Sequence, residues 1–194
     1  MVPRRLVLAS ASPRRLELLR LAGLDPEVRA ADVDESIRAE EDPGVYVARL
    51  ARAKARAVAG GRDEAVEAVL GADTTVVCDG VVMGKPRDAE EARRMLSRLN
   101  GRVHEVITGV AVTAGGPAVL EDRVLTRVQV APLTAARIAA YVASGEPMGK
   151  AGGYAIQGRA AAFVERIEGS YTNVVGLPLV EALVLLQRAG VPMP

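Results

Sequence analysis

The sequence predicts a mixed α/β fold, and three observations carry that expectation. Five segments with helical start and stop signals alternate with strand-like runs rich in valine, leucine and isoleucine. Two pairs of those runs are joined by hairpin links, Asp79-Gly80 in one case and Ala114-Gly115-Gly116-Pro117 in the other. Alternation alone would build a parallel sheet, so the hairpins make the sheet mixed. The 194 residues, 49% of them apolar and 25% charged, suffice for one large domain or two small lobes around one core.

In chain order, "RLVLAS" is a short strand ending in small residues. A helix follows at once, with Ser12 as N-cap and Pro13 at the first helical position, Leu16 and Leu19 on its buried stripe and Gly23 as its stop. "DPGVYVARLARAKARAVAGG" reads as a second helix that gathers Val47, Leu50, Ala51 and Lys54 near one face and closes at Gly60 and Gly61. "AVEAVLGADTTVVCDGVVMGKPRD" gives two strands meeting at Asp79-Gly80, with Asp73 at the end of the apolar run "AVLGA". "DAEEARRMLSRLNG" is a third helix, its acids in the first turn as the helix dipole prefers and Gly101 beyond its end. Two longer strands follow between Arg102 and Leu133. A fourth helix is capped by Thr134, and a final one runs from about Pro178 to Ala189, stopped by Gly190 and Pro192.

Composition narrows the chemistry. One cysteine, Cys78, excludes an internal disulfide and a multi-cysteine zinc site, and one histidine, His104, excludes an imidazole-rich centre, so any metal is held by oxygen. A net charge of +1 and 3% aromatic residues supply neither the basic excess nor the stacking platform of a nucleic-acid binder. The apolar runs are too short or too interrupted to span a membrane, and no cleavable leader pattern opens the chain. A cytoplasmic protein with a small anionic ligand, no nucleic-acid polymer and no membrane partner is the expectation.

Arg14 and Arg15 fill the first turn of the first helix, where acids belong. Two cations there oppose the dipole at roughly 0.3–1 kcal/mol each, unless an anion offsets them. Unpaired N–H groups plus two guanidiniums suit a phosphate clamp. Lysine is scarce: only Lys54, Lys85 and Lys150 interrupt an arginine-dominated basic set. A compact ammonium is not interchangeable with a planar guanidinium, which makes these three candidates for a tight site. Snorkelling from a helix accounts equally for Lys54, a hairpin end for Lys85 and a loop rim for Lys150. Asp73 is expensive beside an apolar strand unless it is paired or metal-bound. Asp34 and Glu35 lie in the loop-like "ADVDESI", whose simplest reading is a solvated surface. His104 reads as a hydrogen-bonded structural residue and Cys78 as a small apolar strand residue.

The segments "SASPRR", "LGADTTVVCDGVVMGKP", "HEVITGV" and "GGYAIQGRAAAFVERIEGSYTNVVGLPL", in that order along nearly the whole chain, resemble the Maf family of nucleoside triphosphate pyrophosphatases. The last of these stretches, around "GYAIQG", is similar to the branch acting on dTTP and UTP. The resemblance implies a single domain over 1–194 with two lobes, a long twisted sheet and a central cleft for the nucleotide, like the inosine triphosphate pyrophosphatases. It also implies a homodimer. The activity implied is hydrolysis of dTTP and UTP to monophosphate and pyrophosphate by attack of metal-activated water at the α-phosphorus, with house-cleaning of modified pyrimidine nucleotides as an associated role.

By the same resemblance Asp73 is the proton acceptor, Asp73 and Glu35 hold Mg²⁺ or Mn²⁺, and Lys54 and Lys85 complete the catalytic set. Ser10, Arg14 and Arg15 contact phosphate. Thr74 and Gln157 take part in base selection. A glutamine amide can donate to O4 and accept from N3–H of uracil or thymine, provided neighbours pin it against flipping. Ala11 and Ala155 depart from the family pattern without touching these positions. Two alternatives stay open: the 7-methyl-GTP branch of the same family, and a regulator of cell division that binds nucleotide without catalysis. A pure triphosphate binder gains nothing from a carboxylate beside phosphates, so Asp73 discriminates between hydrolase and binder.

Overall fold

The computed structural model describes residues 4–60 and 67–194. Its chain order is β1 (Arg5–Leu8), α1 (Pro13–Leu21), β2 (Glu27–Val28), α2 (Pro43–Ala59), β3 (Glu67–Cys78), β4 (Val81–Met83), α3 (Ala89–Leu99), β5 (Val103–Thr113), β6 (Val119–Val130), α4 (Ala135–Ala143), β7 (Val164–Glu168), α5 (Tyr171–Val175) and α6 (Leu179–Arg188). Seven strands form one sheet in the order β2-β1-β3-β5-β6-β7, with β4 paired to β3. β1 runs parallel to β2 and β3, whereas β4 is antiparallel to β3 and β7 to β6. The sheet is mixed, as the hairpins require. Gly61 as a helix stop, and Ala65 and Val66 as the start of a strand, fall outside the described residues.

The predicted boundaries hold where local chemistry is strong. Asp42 accepts from the N–H groups of Gly44 and Val45 at the start of α2, Asp88 from Glu91 at α3, and Thr134 from Arg137 at α4. Asp79 and Gly80 both take positive φ, 49° and 73°, as a tight two-residue hairpin demands. Ser12 stands at the N-cap of α1 without a side-chain cap bond. Strand β2, strand β7, the short helix α5 and two 3₁₀ turns, Ala151–Gly153 and Arg159–Phe163, are additions to the predicted elements. Each is five residues or fewer, so tertiary packing and not periodicity stabilises it.

The chain forms two compact units, with boundaries inside β3, β5 and β6. One contains the residues up to Asp73, Thr108–Val124 and Gly176–Pro194; the other contains Thr74–Ile107 and Leu125–Val175. In the first, α2 buries Val47, Leu50, Ala51, Ala55 and Ala59. Full burial of Val47 or Leu50 is worth roughly 1.5–3 kcal/mol. The seam between α2 and the sheet is built from small residues, Ala51 and Ala55 packing with Ala111. A Cβ on Gly71 would lie 2.2 Å from the Ala51 carbonyl oxygen, and one on Gly109 would lie 2.6 Å from that of Val47. Both glycines are therefore required by close approach of the helix backbone, which fixes how far any side chain of α2 must reach. In the second unit, α3 packs against α4 and the Ala151–Gly153 turn.

Candidate active site

Asp73 does not end a strand. It sits in the middle of β3, a correction whose cause is the β-branched run Thr74, Thr75, Val76 and Val77, which carries the extended backbone on to Cys78. Strand alternation puts Asp73 on the same face as Gly71, the face against which α2 is seated. The Lys54 ammonium of α2 donates to Asp73 Oδ1 at 2.6 Å and lies 2.6 Å from Glu35 Oε1. Lys54 is 7% exposed and Asp73 9% exposed. Burial at that level disfavours an isolated charge by several kcal/mol, so the ion pairs are what let both groups remain inside. Lys54 is thus no snorkelling surface residue.

Glu35 reaches this point from an exposed loop that α2 holds in place. The Tyr46 hydroxyl donates to the Glu35 carbonyl at 3.0 Å, and Arg49 Nη2 donates to the Ser36 carbonyl at 3.0 Å. Arg49 is itself fixed by Glu41, at 2.6 and 2.7 Å, and that pairing holds the Glu41 carboxyl down at about 2. Burial pushes the Tyr46 phenol up, and the charges of Asp73 and Glu35 push it further. Asp34 turns away to accept from the Ser36 N–H at 2.9 Å, which lowers its carboxyl. Of the two adjacent acids, Glu35 joins Lys54 and Asp34 shapes the loop. Tyr46, Arg49 and Glu41 were invisible to motif reading. Their only signal is the three-residue spacing that puts Tyr46 and Arg49 on neighbouring turns of one helix face.

Ser10 and Arg15 form a second buried cluster in the same unit. Arg15 Nη1 donates to Ser10 Oγ at 2.9 Å and Nε to the Gly176 carbonyl at 2.8 Å, and the guanidinium is 8% exposed. Burial lowers the Arg15 pKa; Asp73 and Glu35 oppose that and Arg14 adds to it. These couplings put Arg15 within electrostatic reach of Asp73 and Glu35. The first turn of α1 holds no acid, so its dipole and the two arginines present one positive region.

The second unit carries the remaining candidates. Thr74 is half-buried, directly after Asp73 on β3, whereas Lys85 and Gln157 are exposed. Gly84, beside Lys85, accepts through its carbonyl from the Gly152 N–H at 3.1 Å, tying the Lys85 segment to the turn that leads to Gln157. Lys150 donates to the carbonyls of Glu146 and Met148 at 2.6 and 3.4 Å. His104 is buried with Nε2 2.8 Å from the Tyr154 hydroxyl, and burial pulls its pKa down to about 4. Cys78 is buried on β3, where burial raises its thiol pKa. Both are structural.

The carboxylates of Asp73 and Glu35 converge on one point, the Lys54 ammonium. Among the described residues no group of three or more His, Cys, Asp or Glu could hold an ion without help. Two carboxylates completed by substrate oxygens are a donor set that Mg²⁺ accepts.

A family model described as Maf-like protein matches residues 5–189. The chain is 56% identical to a dTTP/UTP pyrophosphatase of Anaeromyxobacter sp. (strain Fw109-5), over 98% of this chain and 92% of that one. It is 53% identical to a dTTP/UTP pyrophosphatase of Geotalea uraniireducens (strain Rf4), over 95% of each. Among solved structures, the Staphylococcus aureus Ham1 protein is similar over 66% of this chain and 72% of its own, at 14% identity and a TM-score of 0.48. With a family model spanning almost every residue from β1 to α6, and relatives of more than half identity along more than nine-tenths of their length, this chain belongs to the Maf family.

Proposed function

We propose that this protein hydrolyses dTTP and UTP to the nucleoside monophosphate and pyrophosphate. The observation that carries the reading is the buried Asp73–Lys54–Glu35 constellation beside Arg15, in a chain whose relatives are named for that reaction. Asp73 takes the proton of the attacking water. The water oxygen bonds to the α-phosphorus, the bond from that phosphorus to the α–β bridging oxygen breaks, and the bridging oxygen departs with pyrophosphate. Lys54 fixes the Asp73 carboxylate in direction, while Arg14, Arg15, Ser10 and Lys85 bind phosphate oxygens. Asp73 and Glu35 would hold a divalent cation, Mg²⁺ or Mn²⁺, which supplies Lewis-acid polarisation of phosphoryl oxygens when bound.

Thr74 and Gln157 take the base-reading role, Gln157 donating to O4 and accepting from N3–H. The two compact units then serve as one functional domain. A homodimer and a cytoplasmic location belong to the same reading, and sedimentation tests the first. No helix among the described residues is long and apolar enough to cross a membrane.

A panel of triphosphates assayed for pyrophosphate release with Mg²⁺ or Mn²⁺ tests the whole reading. dTTP and UTP should lead it. A panel led by 7-methyl-GTP would assign the protein to the other branch, and binding without release would make it a nucleotide-binding regulator. Activity undiminished in excess chelator would remove the metal.

A further inference from the structure

Gln157 presents a problem if it selects the base: it is exposed, and its side chain makes no hydrogen bond among the described residues. An amide that turns over matches cytosine as well as uracil, so selection requires the backbone around it to be fixed. Two side chains far from the phosphate-binding residues in sequence supply that fixation. The Tyr141 hydroxyl, on α4, accepts from the Ala155 N–H at 3.1 Å, two residues before Gln157. The Glu146 carboxylate accepts from the Arg159 N–H at 3.1 Å and the Ala160 N–H at 3.4 Å, two and three residues after it. The two are coupled, because the Tyr141 hydroxyl donates to Glu146 Oε1 at 2.8 Å. Between them the Gly158 N–H closes a turn on the Ala155 carbonyl at 3.0 Å.

We propose that Tyr141 and Glu146 act as positioning residues for base selection, a two-point clamp that holds the backbone on both sides of Gln157 and so sets the position from which its amide reaches the base. The inference rests on the reading of Gln157 as the base-contacting residue. Several features show the clamp to be built for this place. A Cβ on Gly158 would lie 2.4 Å from Glu146 Oε1, so a glycine is needed there for the carboxylate to approach the chain. The Tyr141 ring is anchored edge-on against Phe163, with centroids 5.1 Å apart, which fixes the hydroxyl. Burial pushes the Glu146 carboxyl up, but its hydrogen bonds and Lys150 outweigh that and keep it ionised as an acceptor.

The test measures Kd for α,β-methylene analogues of UTP and CTP, so that catalysis is not needed for a readout. The wild-type protein should prefer the UTP analogue by about tenfold or more. Tyr141→Phe keeps the ring and removes only the hydroxyl; Glu146→Gln keeps the shape and turns one acceptor into a donor. Each should bring the preference down by about tenfold, towards that of Gln157→Ala, while the affinity for inorganic pyrophosphate stays unchanged. Adding Tyr141→Phe to Gln157→Ala should then lower it no further. Gly158→Ala, which displaces the Glu146 carboxylate without altering it, should reproduce the loss. A preference that collapses in Gln157→Ala but survives in Tyr141→Phe and Glu146→Gln overturns the clamp alone. A preference unchanged in Gln157→Ala overturns the base-reading role and the clamp's part in it together. If any variant loses pyrophosphate binding along with selectivity, the residue is structural and the proposal fails.

Discussion

The two units solve opposite problems. In the first, charged groups are taken out of water and fixed by one another: Lys54 between Asp73 and Glu35, Arg15 against Ser10 and the Gly176 carbonyl. In the second, an uncharged and exposed amide is held only through its backbone, by the acceptors of Tyr141 and Glu146. The difference fits the roles proposed for the two sets of residues. Moving a proton and neutralising phosphate need fields that water would screen, so those groups are buried and pay for it in ion pairs. Reading a base needs only directional hydrogen bonds, which an exposed group makes well if its direction is set beforehand.

The largest way to break the first region is Asp73→Asn. The amide keeps the shape of the side chain and Lys54 keeps Glu35, so the fold should persist in thermal unfolding and nucleotide binding should remain measurable. Loss of the proton acceptor should lower kcat by about 10²–10⁴-fold. Near-normal pyrophosphate release from this variant would remove Asp73 from the chemistry and leave the ion pair as a structural element.

Acid should break the second region instead. His104, buried against Tyr154, has its pKa pulled from 6.5 to about 4, and Nδ1 has no hydrogen-bond partner among the described residues. Between those values the unfolded chain binds a proton that the folded chain refuses, so stability is full above about 6.5 and is lost as pH falls towards 4. The shift corresponds to roughly 3 kcal/mol at the acid limit. Urea unfolding across that window should show the slope, and His104→Gln, which retains a partner for the Tyr154 hydroxyl, should flatten it. An identical slope in the variant would assign the acid sensitivity to carboxylates elsewhere.

How much of this was legible in the sequence also divides by region. The helices read in "DPGVYVARLARAKARAVAGG" and "DAEEARRMLSRLNG", the cap at Thr134 and the turn at Asp79-Gly80 are local chemistry, and the structure follows them. Asp73 and Lys54 could be picked out by type and Glu35 only through the family resemblance, but not their convergence, because no periodicity says which helix lies over which strand. Asp73 illustrates the limit: a lone carboxylate suggests a strand end until a lysine from another element offsets its burial. Glu146 shows the same limit in the second region. It stands in "SGEPMGK", where nothing local indicates that its carboxylate reaches Arg159 and Ala160.

Glycine substitutions sharpen the contrast between a packed site and an open loop. Gly71→Ala would drive a methyl into the backbone of α2, 2.2 Å from the Ala51 carbonyl oxygen and 2.7 Å from the Ala55 nitrogen, atoms that cannot rotate away. It should destabilise by about 1–3 kcal/mol and lower activity by pushing Lys54 away from Asp73. Gly84, next to Lys85, has nothing within 4 Å of the same added carbon. Gly84→Ala should therefore stay within about 0.5 kcal/mol of the wild type. Equal losses in the two variants would mean that the seam under α2 can relax and that the approach of the helix is not what sets the Lys54 position.

The smallest expected effect separates holding a cation from using it. Ser10 Oγ accepts from Arg15 Nη1 at 2.9 Å and from the Ser12 N–H at 3.3 Å, so Ser10→Ala deletes one of the acceptors that fix the guanidinium. The Gly176 carbonyl remains. A hydrogen bond to a charged group is worth about 1.5–3 kcal/mol, but Arg15 keeps its second partner and its attraction to Asp73 and Glu35, so the net cost should lie near 1 kcal/mol. If Arg15 binds phosphate equally in the ground and transition states, that cost appears as a rise of about fivefold in KM for dTTP with kcat unchanged. A fall in kcat at constant KM would instead show that the Ser10–Arg15 pair meets charge that develops only as pyrophosphate leaves, and would move Arg15 from the binding set into the catalytic one.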